Sequence, residues 1–256
     1  MRARLIPVLT MLNGQLYKTT KFKNPVYVGD PLNAVRIFNE SEADELCLLD
    51  MGATGSGSIN FELIAKVAYE CQMPLTYGGG LGSLEASLRA ISLGVEKICF
   101  GSLAVTDPAL IYDVSHRIGA QSVAVVLDVF RDSSGTYKLS TQSNTVQSDV
   151  SLEDWLLGFD IKAIGDLLIN NVDRDGTGAG FDLDLVRSIK QLVGIPITFI
   201  GGAGSLDDCR KVVEMFEYVG LGIGSLFCFK GKFRAVLINY PDKAGREFVY
   251  YGAPKS

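Results

Sequence analysis

The chain has 256 residues, 47% of them hydrophobic and 21% charged, with a formal net charge of −5. A chain of that size buries roughly 70–75% of its unfolded surface, so it needs no disulfide or metal staple to fold. The acidic balance argues against a general nucleic-acid binder, and no apolar run has the length of a membrane span.

In chain order, short apolar runs alternate with longer amphipathic ones. Arg2 and Arg4 precede Leu5–Leu9, which is too short for a secretory leader and reads as a buried strand. Thr10–Gly29 follows, with Asn13-Gly14 and several lysines. It is long for a connection and reads as a loop of the kind that forms lids, with Lys18 able to reach a phosphate. Further strands are expected at Glu45–Asp50, Pro74–Tyr77, Lys97–Gly101, Ser122–Val129, Asp166–Asn171, Ile197–Ile200 and Tyr218–Gly222. Their apolar residues are nearly continuous, as in parallel strands covered on both faces. Helices are expected at Pro31–Ser41, Asn60–Cys71, Ser83–Leu93, Pro108–Ile118, Leu152–Ala163, Leu183–Leu192 and Leu206–Phe216. Asp30, Ser83, Asp107 and Ser205 stand where N-caps belong. Eight strands alternating with helices fit one (β/α)8 TIM barrel spanning residues 1–256.

The chain also repeats in halves. Gly79-Gly80-Leu81-Gly82-Ser83-Leu84 echoes Gly201-Gly202-Ala203-Gly204-Ser205-Leu206, and Phe100-Gly101-Ser102-Leu103 echoes Ile223-Gly224-Ser225-Leu226. Two motifs at nearly one offset imply two fused half-barrels, about 1–120 and 121–256. Glycine-rich turns that open helices offer free N–H groups to anions. Tight turns alone would also use glycine, but the duplication favours two phosphate sites across one mouth. The candidate phosphate-binding residues are Gly80, Gly101, Ser102, Gly176, Gly202, Gly224 and Ser225.

Asp128 ends an otherwise apolar strand, where a barrel carboxylate faces the mouth and serves general acid/base chemistry. The loop Asn171–Gly180 has the composition of a calcium loop without its bidentate glutamate, so it reads as substrate-facing, through Asp175, Gly176 and Thr177. Arg4, Glu45, Lys97 and Asp166 precede or open four strands. Strand starts converge beneath the mouth; such charges ordinarily make surface ion pairs, and a ring of alternating sign around the axis would instead form a gate. Five cysteines without a CxxC pair suggest a reduced, cytoplasmic protein, and one histidine, His116, gives no metal site. No cofactor is implied.

These residues together resemble the cyclase subunit of imidazole glycerol phosphate synthase. The likeness runs over essentially the whole chain, through Ile6-Pro7, Gly29-Asp30-Pro31, Ala43-Asp44-Glu45-Leu46, Gly78-Gly79-Gly80, Asp173-Arg174-Asp175-Gly176-Thr177 and Gly201-Gly202-Ala203-Gly204. The resemblance implies a barrel whose mouth takes a substrate with two phosphates. It also implies a glutaminase partner on the opposite face and passage of ammonia through the barrel. Arg4, Glu45, Lys97 and Asp166 match the family's gate. Glu96 falls where the family has an aspartate facing the glutaminase.

One position departs. The family uses two aspartates across the mouth as acid and base; Asp128 matches the second, but Thr10 stands in place of the first. Threonine cannot shuttle a proton near neutral pH, and loss of one such group costs about 10²–10⁴-fold in rate. A paralogous group in bacterial surface-polysaccharide clusters is similar to this pattern. Its members supply ammonia to a separate amidotransferase that forms acetamidino sugars. A histidine-pathway cyclase and a non-catalytic scaffold that activates a glutaminase are the competing expectations.

Overall fold

Near-continuous apolar strands need cover on both faces, and the chain supplies it by closing its sheet into a ring. The computed structural model describes residues 2–190, 192–216 and 218–252. Eight parallel strands form the ring: β1 (Arg4–Leu12), β2 (Leu46–Asp50), β3 (Leu75–Gly78), β4 (Lys97–Phe100), β5 (Val123–Arg131), β6 (Asp166–Asn171), β7 (Ile197–Ile200) and β8 (Gly220–Ile223). Each pairs with the next, and β8 returns to β1 with Arg4 opposite Gly220. The expected (β/α)8 barrel is the observed one.

The apolar strands hide a period of two. Leu5, Leu9, Leu48, Tyr77, Phe100, Val125, Leu127, Ile169 and Phe199 pack outward against the helices. Ile6, Val8, Cys47, Cys99, Ala124, Leu168 and Ile200 form a separate cluster inside the ring. Strand β8 sends glycines inward. A Cβ on Gly220 would collide with Thr198 Oγ1 and lie 3.2 Å from Arg4 Nη2, so the missing side chain makes room for Arg4.

The expected helices form, but that at Leu152–Ala163 stops at Gly158 and is followed by a 3-10 turn at Ile161–Ala163, and that at Leu206–Phe216 stops at Val213; Asp30, Ser83 and Ser205 cap as anticipated, whereas the helix after Asp107 starts behind Pro108. Asp30 Oδ1 accepts from the Leu32 and Asn33 N–H groups, Ser83 Oγ from Ala86, Ser205 Oγ from Asp208 and Asp107 Oδ1 from Ala109. The helix expected at Leu183–Leu192 spans Leu183–Lys190; Gln191 lies outside the described residues. All five cysteines are free, and four are buried. No helix among the described residues is long and apolar enough to cross a membrane.

Two expectations need correction. Thr10–Gly29 is not a loop. Strand β1 runs on to Leu12, and Gln15–Thr20 and Lys23–Gly29 form an antiparallel hairpin against it, with Thr10 opposite Tyr17. Asn13 (φ 51°) and Gly14 (φ 75°) are both left-handed, the conformation that joins two strands through a two-residue turn. A buried lysine, Lys18, within the first strand and exposed Lys21 and Lys23 at the turn masked the alternation. The chain between Val129 and Leu152 likewise holds an unexpected hairpin, Tyr137–Thr141 with Val146–Ser151, laid against β5. Both hairpins stand on the face where the strands end.

Candidate active site

The C-terminal strand ends surround a cavity of about 690 Å³. Its wall includes Thr10, Lys18, Gly80, Gly101, Ser102, Asp128, Asp175, Gly176, Gly202, Gly224 and Ser225. The fold thus brings to one place residues that are more than two hundred positions apart. Thr177 is the exception. It is exposed outside this wall, and its hydroxyl donates to the Arg174 carbonyl oxygen at 2.7 Å, which holds the loop's own turn.

Asp128 and Thr10 occupy equivalent places, each on a strand that opens one half of the ring and carries a hairpin. Burial pushes the Asp128 carboxyl up to about 7; Asn170 works against that shift, with its Nδ2 donating to Oδ1 at 2.7 Å, and Asp175 adds to it. A carboxyl that titrates near neutrality is poised to both take and give a proton. The Thr10 hydroxyl donates to the Tyr17 carbonyl oxygen and thereby staples the hairpin to β1.

Lys18 projects from that hairpin into the cavity. It is buried, and its Nζ donates to the Val8 carbonyl oxygen at 3.2 Å. It lies so close over Gly224 that any side chain there would displace it. The cation therefore sits beside the turn that leads into Ser225. The Ser225 hydroxyl is buried on the cavity wall without a hydrogen-bond partner among the described residues. Across the mouth, Ser102 Oγ accepts from the Gln142 N–H at 2.9 Å, tying the second hairpin to the corresponding turn.

Asp175 anchors the first hairpin. Its carbonyl oxygen accepts from the Lys21 N–H at 3.1 Å. Burial raises its carboxyl pKa, with nearby Lys18 and the Phe22 and Lys21 N–H groups pulling it back. Gly176 is left-handed (φ 69°), and a Cβ there would strike the Thr19 carbonyl oxygen, so the hairpin and this loop fit only with glycine. Two cavity residues escaped the sequence reading. Asp50, ending β2, is buried and accepts from the Ala53 N–H at 2.9 Å; burial raises its pKa. Asn170 leaves its Oδ1 buried and unpartnered among the described residues. The strand-end rule that singled out Asp128 applies equally to both.

At the other end of the ring, Arg4, Glu45, Lys97 and Asp166 meet. Arg4 pairs with Glu45 and, at 3.1 Å, with Asp166. Lys97 Nζ lies 3.5 Å from Glu45 and 3.6 Å from Asp166. Thr198 Oγ1 donates to the second oxygen of Asp166 at 3.1 Å. Burial opposes the charge on Arg4, but Asp166 and Glu45 more than offset it and hold its pKa above the ordinary value. Neighbouring Asp44 has a different task. It accepts from the Leu5 N–H at 2.8 Å and from the Tyr250 hydroxyl, so it fastens the terminal helix Lys243–Tyr251 beneath the ring. Glu96 is exposed on this same face, next to Lys97. Between the charge ring and the mouth lies the apolar interior cluster.

Residues 4–234 match the family model described as histidine biosynthesis protein. The chain belongs to that family, and its relatives place it within the HisF branch. A Leptospira interrogans protein provisionally named imidazole glycerol phosphate synthase subunit HisF is 43% identical over 98% of this chain and 100% of its own length. A Pseudomonas aeruginosa protein provisionally named subunit hisF2 of the same synthase is 43% identical over 94% of this chain and 96% of its own length. The HisF subunit of Streptococcus sanguinis is 31% identical over 89% of this chain and 90% of its own length.

Proposed function

We propose that this HisF-family chain is the ammonia-accepting, cyclase-like subunit of a glutamine amidotransferase, and that it supplies ammonia for acetamidino-sugar formation in surface polysaccharide. The glutaminase docks on the face that carries Glu96 and the charge ring. Ammonia enters past Arg4, Glu45, Lys97 and Asp166, crosses the interior and emerges at the mouth. There a phosphorylated small molecule is held by Lys18 and by the turns at Gly80, Gly101–Ser102, Gly176, Gly202 and Gly224–Ser225.

The observation that carries this reading is an apolar cluster inside the ring, between the charge ring and the mouth. Ile6, Val8, Cys47, Cys99, Ala124 and Leu168 belong to it. Neutral ammonia crosses such a lining cheaply, whereas ammonium would have to be desolvated at a cost of several kcal/mol. Lys97 is the loosest member of the ring, at 3.5 and 3.6 Å from its partners and 22% exposed, so it is the group that swings. The buried, unpartnered Ser225 hydroxyl supports an anion at its turn. Thr10 opposite Asp128 supports a conduit in which cyclase chemistry is weakened.

The test combines the purified chain with a glutaminase subunit of the family. Stimulated glutamine hydrolysis, lost in Lys97→Ala and Glu96→Ala, supports the partner face. Turnover of the histidine-pathway substrate with excess ammonia, near that of an ordinary cyclase, refutes the acetamidino reading. One observation favours a second reading, a true histidine-pathway cyclase: Asp128 titrates near neutrality in the same cavity as Asp50 and Asp175. Rescue of a histidine auxotroph lacking its cyclase gene separates the two.

A further inference from the structure

Charge is unevenly distributed along this chain. Segments 10–29 and 229–240 contain no aspartate or glutamate, although carboxylates outnumber lysine and arginine 29 to 24 overall. The first segment is the hairpin described above. The second holds a smaller one, Phe229–Lys230 paired with Ala235–Val236. Both grip the same loop: the Lys21 N–H donates to the Asp175 carbonyl oxygen at 3.1 Å, and Arg234 Nη1 donates to that of Gly176 at 3.2 Å. Gly176 lines the cavity, so the two hairpins meet on one side of its rim.

Lys21, Lys23, Lys230, Lys232 and Arg234 are exposed there. Among the described residues, none of them joins an ion pair. In their midst Phe233 is 86% exposed, followed by half-exposed Val236 and Leu237. Gathered like charges repel one another, and an apolar ring held in water is unfavourable. A partner bearing carboxylates around an apolar spot relieves both.

We propose that this rim docks the acidic face of a second protein seated over the mouth. Among the described residues, these five cations stand outside the cavity wall and enclose no pocket of the kind small ligands need. A two-fold pairing with a second copy would set the basic surface against itself. Nucleic acid would meet the field of a chain that is acidic elsewhere. Apolar residues at the centre and charges around them are the anatomy of a protein interface. The proposal rests on the functional reading above for the partner's role: an acceptor enzyme clamped on the mouth takes up ammonia before bulk water can dilute and protonate it.

The test places a photocrosslinking benzoylphenylalanine at Phe233 in the full chain, in its own cells. The control site is Tyr69, 92% exposed on the helix Phe61–Glu70. Adducts are mapped by mass spectrometry, and the captured protein is purified for affinity measurement against the chain and its Lys230→Glu/Lys232→Glu variant. The expected result is one protein joined at 233 but not at 69, through an acidic segment, with affinity at least tenfold lower for the double variant. The proposal is overturned by the absence of a protein adduct specific to 233, by an adduct to nucleic acid or a second copy, or by an affinity that the reversal leaves unchanged. Glutaminase stimulation, measured in parallel, is expected to be equal in the double variant and the wild-type chain. If the wild-type chain stimulates no glutaminase, the functional reading fails, while the docking result is still decided by the crosslink.

Discussion

Replacing Thr10 by aspartate restores a carboxylate opposite Asp128. Two opposing magnitudes follow. The hydroxyl bond to the Tyr17 carbonyl oxygen is lost, at about 1 kcal/mol, and the new carboxylate, itself only an acceptor, faces that oxygen. Lys18, seated on the Val8 carbonyl oxygen two residues upstream, supplies a nearby cation that offsets part of this cost. Against it stands the return of a second acid/base group, about 10²–10⁴-fold in rate, or about 3–5 kcal/mol of barrier. Thr10→Asp is therefore expected to fold with a stability loss near 1–2 kcal/mol and to gain at least 100-fold in ammonia-dependent turnover of the histidine-pathway substrate. The assay is steady-state turnover with excess ammonia, accompanied by amide exchange across residues 15–29. An unchanged rate with the hairpin still protected would refute the view that proton transfer is what this mouth lacks.

Other substitutions probe the remaining parts. The Asp128 carboxyl titrates at about 7 when folded, above its value near 3.8 when unfolded. The folded state thus holds its proton more tightly, and stability falls as pH rises between those values, by up to about 4 kcal/mol. Asp128→Asn is expected to flatten this loss in urea titrations from pH 5 to 8 and to remove any activity limb near pH 7. Arg4→Met strands half-buried Glu45 and buried Asp166 with Lys97 alone; a loss of about 3–5 kcal/mol is expected at neutral pH, read from the urea midpoint. Gly176→Ala forces a left-handed alanine against the Thr19 backbone; about 1–3 kcal/mol of local destabilisation should appear as faster tryptic cleavage at Lys21 and Lys23.

The ring was legible because parallel barrel strands are buried on both faces and so leave unbroken apolar runs such as Val123–Leu127. Asp128 was legible because a charge after such a run either caps the next turn or faces the mouth, and the barrel pattern favours the mouth. The hairpins were hidden for the opposite reason. Their exposed residues mix polar and apolar types, with Lys23, Asn24, Val26 and Tyr27 in the first and Val146, Gln147, Asp149 and Val150 in the second, and the polar turn residues Asn13-Gly14 and Asp132–Gly135 look the same in a loop as in a hairpin. Thr177 misled because loop composition reports proximity to a mouth but not the direction of each side chain. Asp50 and Asn170 were overlooked since each ends a strand amid ordinary turn-forming residues, and only closure of the ring turns them toward a shared space.

The two antiparallel additions stand on strands that begin corresponding halves, one beside threonine and one beside aspartate. The two flaps are corresponding additions, each hydrogen-bonded to the strand that carries its own polar group. Because the two flaps hang on different strands, a change in one leaves the hydrogen bonds of the other in place. A chimaera carrying the second strand and flap on both sides would set two aspartates across the mouth.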